Sequence, residues 1–133
     1  HRFRGGVSRA ATQHNQLCMG DLDSMRTDSR GLLEAGVALA KVTWDDAQTQ
    51  FSWSDLDMYI LHQVSKAHNS AIISALGIDS SKVPTTFPFQ GNIGPASVPF
   101  TLAQSVDDLQ TGDRIACMGI GSGLNAAVIE IDW

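Results

Sequence analysis

The sequence is short of charge, of cysteine and of long apolar runs, and each shortage excludes a class of protein. Charged residues make up 17% of the 133 residues, and the net charge of −5 leaves no basic face for nucleic acid. No apolar run approaches the roughly 20 residues of a membrane span, and the start lacks the apolar core of a secretion signal. Two cysteines, Cys18 and Cys117, are too few for the disulfide framework of a secreted domain, so we expect a cytoplasmic location.

The chain also lacks an initiator methionine, because its first residue is His1. Its length is sufficient for one hydrophobic core and too short for two ordinary domains. An apolar content of 43% is typical of a soluble globular protein. We therefore expect a piece of a larger protein, and the alternative is a processed or trimmed chain.

The spacing of apolar residues predicts helices and strands. Residues 1–26 show little periodicity beyond a possible strand at 6–11. A helix begins at Asp28, with Thr27 or Asp28 as its N-cap, and its apolar residues recur every three or four positions. This stripe consists of Leu33, Val37, Ala40, Trp44, Ala47 and Phe51.

The rest of the chain is predicted to end in a β-hairpin. The further elements are a buried strand at 57–61, a helix at 65–76, an extended segment at 82–89, a helix at 96–109, and strands at 114–119 and 126–131. Gly77 ends one helix because glycine adopts the left-handed conformation, and Pro99 fits the first turn of the next. This order predicts an α/β fold with a mixed sheet covered by helices.

Three polar segments carry the candidate chemistry. His62-Gln63 follows a strand, Asn92 lies in a loop bounded by proline, and Gly119–Gly123 forms a glycine-spaced turn. An imidazole and a carboxamide can converge as two neutral donors, and a glycine turn can offer backbone N–H groups to a growing oxyanion. Each residue also has an ordinary interpretation: a hydrogen-bonded histidine, a turn-forming asparagine and a tight hairpin.

Two other kinds of site are excluded by spacing. His62 and His68 lie six residues apart and no C-x-x-C pair is present, so no metal site is predicted. A dinucleotide loop needs a helix after its glycines, whereas only ten residues follow Gly123 and residues 128–131 read as a strand. His14 and His68 are interpreted as ordinary histidines.

An obvious nucleophile is missing. Cys117 lies in an apolar strand, where a buried small residue is favoured over a thiolate. Cys18 lies in a polar loop without features that would lower its pKa. Arg2, Arg4 and Arg9 either meet an anionic ligand such as a coenzyme phosphate or are simply solvated.

Together these motifs resemble the C-terminal half of thiolase-superfamily condensing enzymes. The nearest type is ketoacyl synthase III and its olefin-biosynthesis relatives, which join two fatty acyl-CoA molecules head to head. The resemblance covers residues 27–133, and residues 1–26 fit as a lead-in loop and possible strand. It implies an α/β fold that is half of a five-layered αβαβα sandwich. The complete enzymes of this family are usually dimeric.

The resemblance also implies roles for individual residues. His62 and Asn92 match the family's histidine and asparagine, which hold the thioester enolate oxygen. Gly121, Ser122 and Gly123 match its glycine triplet, whose central N–H binds the acyl-thioester oxyanion. The family's His-Gln-Ala-Asn reads His-Gln-Val-Ser here, and no cysteine occupies the position used by degradative thiolases, Gly119.

The same resemblance implies partners outside this chain. The family's acylated cysteine and the glutamate base of its olefin-type members lie in the first half. We therefore expect an N-terminal half polypeptide, a homodimer of the complete enzyme, and an acyl-CoA or acyl carrier protein substrate, with no further cofactor. The competing hypotheses are a non-catalytic acyl-binding or structural half, and a hydrolase that uses Cys117. Acyl chain length and the decarboxylative or non-decarboxylative course stay open.

Overall fold

A four-stranded mixed sheet forms the centre of the computed structural model, which describes residues 1–51, 53, 56–121 and 123–133. The elements in chain order are β1 (Arg2–Ala10), β2 (Cys18–Gly20), β3 (Met25–Thr27), α1 (Ser29–Phe51), β4 (Met58–Leu61), α2 (Lys66–Leu76), α3 (Phe87–Gln90), α4 (Ser97–Gln104), β5 (Arg114–Gly121) and β6 (Asn125–Asp132). The main sheet has the order β1-β6-β5-β4, and β2 and β3 form a separate hairpin. Among the described residues, no helix is both long and apolar enough to cross a membrane.

The sheet is mixed, as the sequence predicts. β5 and β6 form an antiparallel hairpin, β1 pairs antiparallel with β6, and β4 pairs parallel with β5. Met58 pairs with Ile115 and Leu61 with Met118, so the carboxyl ends of β4 and β5 lie at one edge of the sheet. This register places whatever follows β4 beside the end of β5.

Helices cover both faces of the sheet. Side chains alternate along a strand, so Tyr59 and Leu61 face the layer formed by α1 and α2. Ile60 and Cys117 face the opposite layer, where Val98 and Leu102 of α4 pack. The result is three layers, helix on sheet on helix, with the apolar core divided between the two faces.

The predicted helix ends are confirmed by their capping bonds. The Asp28 carboxylate accepts the N–H of Gly31 at 2.9 Å, and the Ser65 hydroxyl accepts the N–H of His68 at 3.3 Å. Gly77 ends α2 in the left-handed conformation at φ 65°, and the next N–H, of Ile78, returns to the carbonyl of Ile73 at 3.3 Å.

Three elements differ from the sequence prediction. β1 begins at Arg2 rather than at residue 6, because its pairing with β6 starts at Arg2 and continues to Ala10, with one shift in register between Phe3 and Gly5. α4 ends at Gln104 rather than near 109, since the N–H of Ser105 donates to the carbonyl of Leu102, only three residues back, and a 3₁₀ turn follows. The segment at 82–89 is not extended throughout, because α3 makes one helical turn at Phe87–Gln90.

The hairpin of β2 and β3 was not predicted. Its strands have only three residues each, which is too short for apolar alternation to show. The Asp21 carboxylate closes the turn by accepting the N–H groups of Asp23 at 2.9 Å and Ser24 at 2.8 Å. Cys18 therefore lies in a strand and not in the loop expected from the sequence.

A buried carboxylate links the sheet to the segment before β4. Glu130 on β6 is 3% exposed, and its two oxygens accept from Arg114 Nε at 2.7 Å and Trp53 Nε1 at 2.5 Å. Because both oxygens are bonded, the buried charge is compensated. This contact holds Trp53, which lies between α1 and β4, against the sheet.

Candidate active site

An apolar cavity of about 600 Å³ lies beside the carboxyl end of β4. Its walls are contributed mainly by α1, α2 and β5. The apolar lining includes Leu33, Val37, Ile72, Met118 and Ile120. Three of the predicted site residues, His62, Asn92 and Gly121, line this same cavity, although they are distant in sequence.

His62 is held at the end of β4 by its backbone and by its ring. Its N–H donates to the carbonyl of Met118 at 2.8 Å, and its Nδ1 lies 2.5 Å from the hydroxyl of Ser97. Burial lowers the pKa of His62 from its ordinary value of 6.5, and the neighbouring His68 lowers it further. The imidazole is therefore neutral at pH 7, as a hydrogen-bond partner for an uncharged carbonyl should be.

Asn92 lies at the exposed rim of the cavity in a loop shaped by glycine. Gly91 and Gly94 adopt φ values of 66° and 60°, a conformation that other residues rarely take. The Asn92 Oδ1 atom accepts the N–H of Gly94 at 2.9 Å. With the oxygen end engaged, the N–H₂ group is the end of the carboxamide available to a ligand.

The glycine turn is only partly on the cavity. Gly121, the last residue of β5, lines the cavity, whereas Gly123 does not. Gly123 has φ 134°, and a Cβ there would stand 2.5 Å from the Asn125 side chain, so the position favours glycine. Ser122, the predicted oxyanion donor, lies outside the described residues.

Gln63 has a role that the sequence analysis missed. Its side chain is 0% exposed, and its Oε1 accepts the N–H groups of Thr86 at 3.1 Å and Phe87 at 3.4 Å. Its Nε2 donates to the carbonyl of Leu61 at 2.9 Å. Gln63 thus ties the segment before α3 to the end of β4. The available signal was an amide directly after a buried strand, where a polar side chain needs buried partners.

His68 also lines the cavity, although the sequence analysis treated it as an ordinary helix residue. Its Nδ1 lies 3.0 Å from the hydroxyl of Ser65, and burial lowers its pKa from 6.5. The Ser-x-x-His spacing resembles a capping box, which places the fourth residue in the first turn of α2. The N-cap of α2, Ser65, lies only three residues after His62 in the sequence. This short separation indicates that His68 lies near the site.

The cysteines do not supply a ready nucleophile. Cys117 is 5% exposed, and burial raises its pKa to about 11. Cys18 lines the cavity, and its Sγ lies 3.4 Å from the hydroxyl of Thr27. Arg4 and Arg9 bind Asp132 and Asp46 at 2.6 and 2.8 Å, so these two guanidinium groups are already paired.

Fold and site together define a class of protein. They describe an α/β domain in which a neutral imidazole and an oriented carboxamide flank an apolar cavity, an arrangement suited to polarising the carbonyl of an apolar acyl compound. Comparison with known families identifies the domain. The chain belongs to the family described as 3-oxoacyl-[acyl-carrier-protein (ACP)] synthase III C terminal, whose model matches residues 47–133.

Individual relatives agree with this assignment. The acyl-CoA:acyl-CoA alkyltransferase of Xanthomonas campestris is 48% identical over 99% of the chain, and that of Shewanella oneidensis is 38% identical over 100%. A crystal structure of a Xanthomonas campestris OleA variant with bound lauric acid and lauroyl-CoA matches 99% of the chain at a TM-score of 0.95 and 48% identity. The chain spans about 40% of the length of these relatives. The expected thiolase-like α/β fold and the resemblance to the olefin-type enzymes are confirmed.

Proposed function

We propose that this chain is part of an enzyme that joins two fatty acyl thioesters by Claisen condensation, and that it stabilises the enolate. The observation that carries the proposal is the position of His62 and Asn92 on one apolar cavity, with the oxygen of Asn92 engaged by its own loop. The names of the alkyltransferase relatives and the lauroyl-CoA bound in one of them support an acyl-CoA substrate.

The proposed reaction needs groups from outside this chain. One acyl group is carried as a thioester on a cysteine of another polypeptide segment, since Cys117 is buried with a raised pKa. A base on that segment removes an α-proton from a second acyl-CoA. The resulting carbanion attacks the acyl carbonyl, the new carbon–carbon bond forms, and the cysteine thiolate leaves. The product is a β-ketoacyl-CoA.

The residues of this chain act on the two carbonyl oxygens. His62 and Asn92 donate to the oxygen of the enolate, which carries the charge after the α-proton has left. The N–H of Ser122, the middle residue of the sequence Gly121-Ser122-Gly123, is assigned to the oxygen of the acyl carbonyl. Leu33, Val37 and Ile72 exclude water around the acyl chain, which strengthens these hydrogen bonds.

The proposed partner segment can be sought directly. Native mass spectrometry followed by denaturing mass spectrometry of purified material should show a second cysteine-bearing polypeptide, or the same residues within one longer chain. The complete enzyme is proposed to be a homodimer, with either acyl-CoA or acyl carrier protein as the carrier of the substrate. A lone 14.3 kDa species would instead favour the non-catalytic acyl-binding alternative.

Two substitutions in the assembled enzyme test the proposed roles. His62→Ala or Asn92→Ala should lower the rate of condensation on the order of 10²–10³, because each removes one oxyanion donor. Acylation of the cysteine should remain largely intact. His14→Ala and Asn15→Ala, which lie off the cavity, are the matched controls. Equal loss of acylation and condensation would contradict the division of roles.

A further inference from the structure

Ser97 is a buried residue that lies between the two proposed donors, His62 and Asn92. It is the first residue of α4, its side chain is 0% exposed, and its hydroxyl has three polar neighbours. The Oγ atom lies 2.5 Å from Nδ1 of His62, 3.2 Å from the N–H nitrogen of Gln63 and 2.9 Å from the carbonyl oxygen of Gly94. None of these contacts is a helix cap, in which the hydroxyl would accept an N–H of α4 itself.

The three neighbours restrict how the single hydroxyl proton is used. The N–H of Gln63 can only donate to Ser97, and the carbonyl of Gly94 can only accept. That carbonyl already receives the backbone N–H of Ser97. Among the described residues, Nδ1 of His62 has no hydrogen-bond partner other than Ser97. Because the Gly94 carbonyl already has a donor, the hydroxyl proton can go to Nδ1, and the 2.5 Å contact between Oγ and Nδ1 is the shortest of the three.

We propose that Ser97 is a positioning residue that donates its hydroxyl proton to Nδ1 of His62 and thereby fixes the tautomer of the imidazole. A neutral imidazole that accepts at Nδ1 carries its own proton on Nε2. His62 then offers an N–H to a ligand. If the hydroxyl pointed to Gly94 instead, Nδ1 would hold the proton and Nε2 could only accept.

The same residue sets the position of the second donor. The carbonyl of Gly94 accepts the backbone N–H of Ser97, and the N–H of Gly94 donates to Asn92 Oδ1 at 2.9 Å. Ser97 thus contacts His62 through its hydroxyl, and it is linked to Asn92 through its backbone N–H and Gly94. Only the donation of the Nε2 proton to a substrate oxygen rests on the proposed function. The tautomer itself can be measured without turnover.

Nitrogen-15 NMR of the complete chain labelled at histidine tests the tautomer. The signals of His62 are assigned by their loss in His62→Gln. We expect Nε2 to be protonated and Nδ1 to have the chemical shift of a hydrogen-bonded acceptor. In Ser97→Ala the Nδ1 signal should move to that of an unbonded nitrogen, whereas Ser105→Ala, which removes a buried hydroxyl of the same helix region bonded to Thr101, should leave it in place. Protonation at Nδ1 in the unsubstituted chain would overturn the proposal.

Kinetics of the assembled enzyme test the consequence. Ser97→Ala should lower kcat for condensation by about ten- to a hundredfold with little change in KM, the range found when the partner that orients a metal-binding histidine is removed. Ser97→Thr keeps the hydroxyl and should retain more activity than Ser97→Ala. An unchanged kcat in Ser97→Ala would contradict positioning through His62. The expected NMR result combined with no condensation by the unsubstituted enzyme would contradict the proposed function alone.

Discussion

The Oδ1 atom of Asn92 accepts the N–H of Gly94 at 2.9 Å, so the loop itself determines which end of this carboxamide meets a ligand. Gly91 and Gly94 on either side have positive φ angles, which gives the loop its sharp path. The bond that shapes the turn does not use the N–H₂ group of Asn92, and it is this group that we propose as the donor to the enolate.

Asn92→Asp separates these two uses of the side chain. Aspartate retains an oxygen for the N–H of Gly94, but it replaces the donor with a negative charge beside the proposed enolate. We expect condensation to fall by at least the 10²–10³ expected for Asn92→Ala, with a smaller loss of thermal stability than in that variant. Steady-state kinetics of the assembled enzyme and thermal melts of both variants measure the two effects. Retained condensation in Asn92→Asp would contradict the donor role.

Substitution of Gln63 should destabilise the segment before α3. Gln63→Ala leaves the N–H groups of Thr86 and Phe87 without their buried acceptor, and each unsatisfied group costs about 1–3 kcal/mol. We therefore expect a loss of about 3 kcal/mol in the free energy of unfolding, measured by urea denaturation. Gln104→Ala, at an exposed position on α4, is the control and should stay within about 0.5 kcal/mol of the original protein. Equal stability of the two variants would show that the hydrogen bonds of Gln63 to Thr86 and Phe87 do not stabilise the fold.

The two cavity histidines should make stability depend on pH. Burial lowers the pKa of both His62 and His68 below 6.5, so the unfolded chain binds protons more readily than the folded chain. The free energy of unfolding should therefore be highest above about pH 6.5 and should fall as the pH drops through the lowered pKa values. Chemical denaturation at neutral and mildly acidic pH measures this change. It should be smaller in the double variant His62→Gln/His68→Gln and unaltered in Asn15→Ala, which removes no titratable group. The same pH dependence in the original protein and in both variants would contradict the assignment.

The regular elements with long apolar patterns could be predicted from the sequence. The helix ends at Asp28 and Gly77 depend on local chemistry, and the mixed sheet follows from the order of the elements. The end of α4 and the hairpin of β2 and β3 depend on tertiary contacts and on turns too short to show a period. Local sequence patterns therefore predict the main helices and strands of the fold, but they do not predict its short peripheral elements.

Candidate site residues can be predicted from the sequence where a polar side chain follows a strand or lies in a loop next to the sheet. This pattern indicates His62 and Asn92 as candidates, and both line the same cavity. Ser97 could not be assigned a role, because its contact with His62 spans 35 residues of sequence. Only the packing of α4 against the end of β4 brings the two together.

Cys117 should resist alkylation in the folded chain. With a pKa of about 11, about one thiol in a thousand is ionised at pH 8, and burial also blocks access. We expect iodoacetamide to modify Cys18, which is half-buried in a hairpin, well before Cys117, with peptide mass mapping as the measurement. Cys117→Ala should retain condensation in the assembled enzyme. Rapid labelling of Cys117 before unfolding would revive the hydrolase hypothesis.

Gly36 should help to set the length of acyl chain that the cavity accepts. It lies in the middle of α1 on the cavity wall, and a Cβ there would stand 3.1 Å from the Cδ1 atom of Ile120. Gly36→Ala needs only a small shift of that flexible methyl and adds about 0.5–1 kcal/mol of helix stability. Gly36→Leu places its side chain in the cavity, so we expect weaker binding and slower turnover of long acyl-CoA substrates than of short ones.

The chain-length profile of the assembled enzyme, measured as kcat/KM over a series of acyl-CoA substrates, tests this expectation. Val42→Leu adds one methylene group on the exposed face of the same helix and is the matched control. A profile shifted to shorter chains in Gly36→Leu alone would place the acyl chain along α1. A profile that is uniformly lowered, or shifted equally in Val42→Leu, would mean that the cavity next to Gly36 does not hold the acyl chain, because only a group in contact with the chain can discriminate its length.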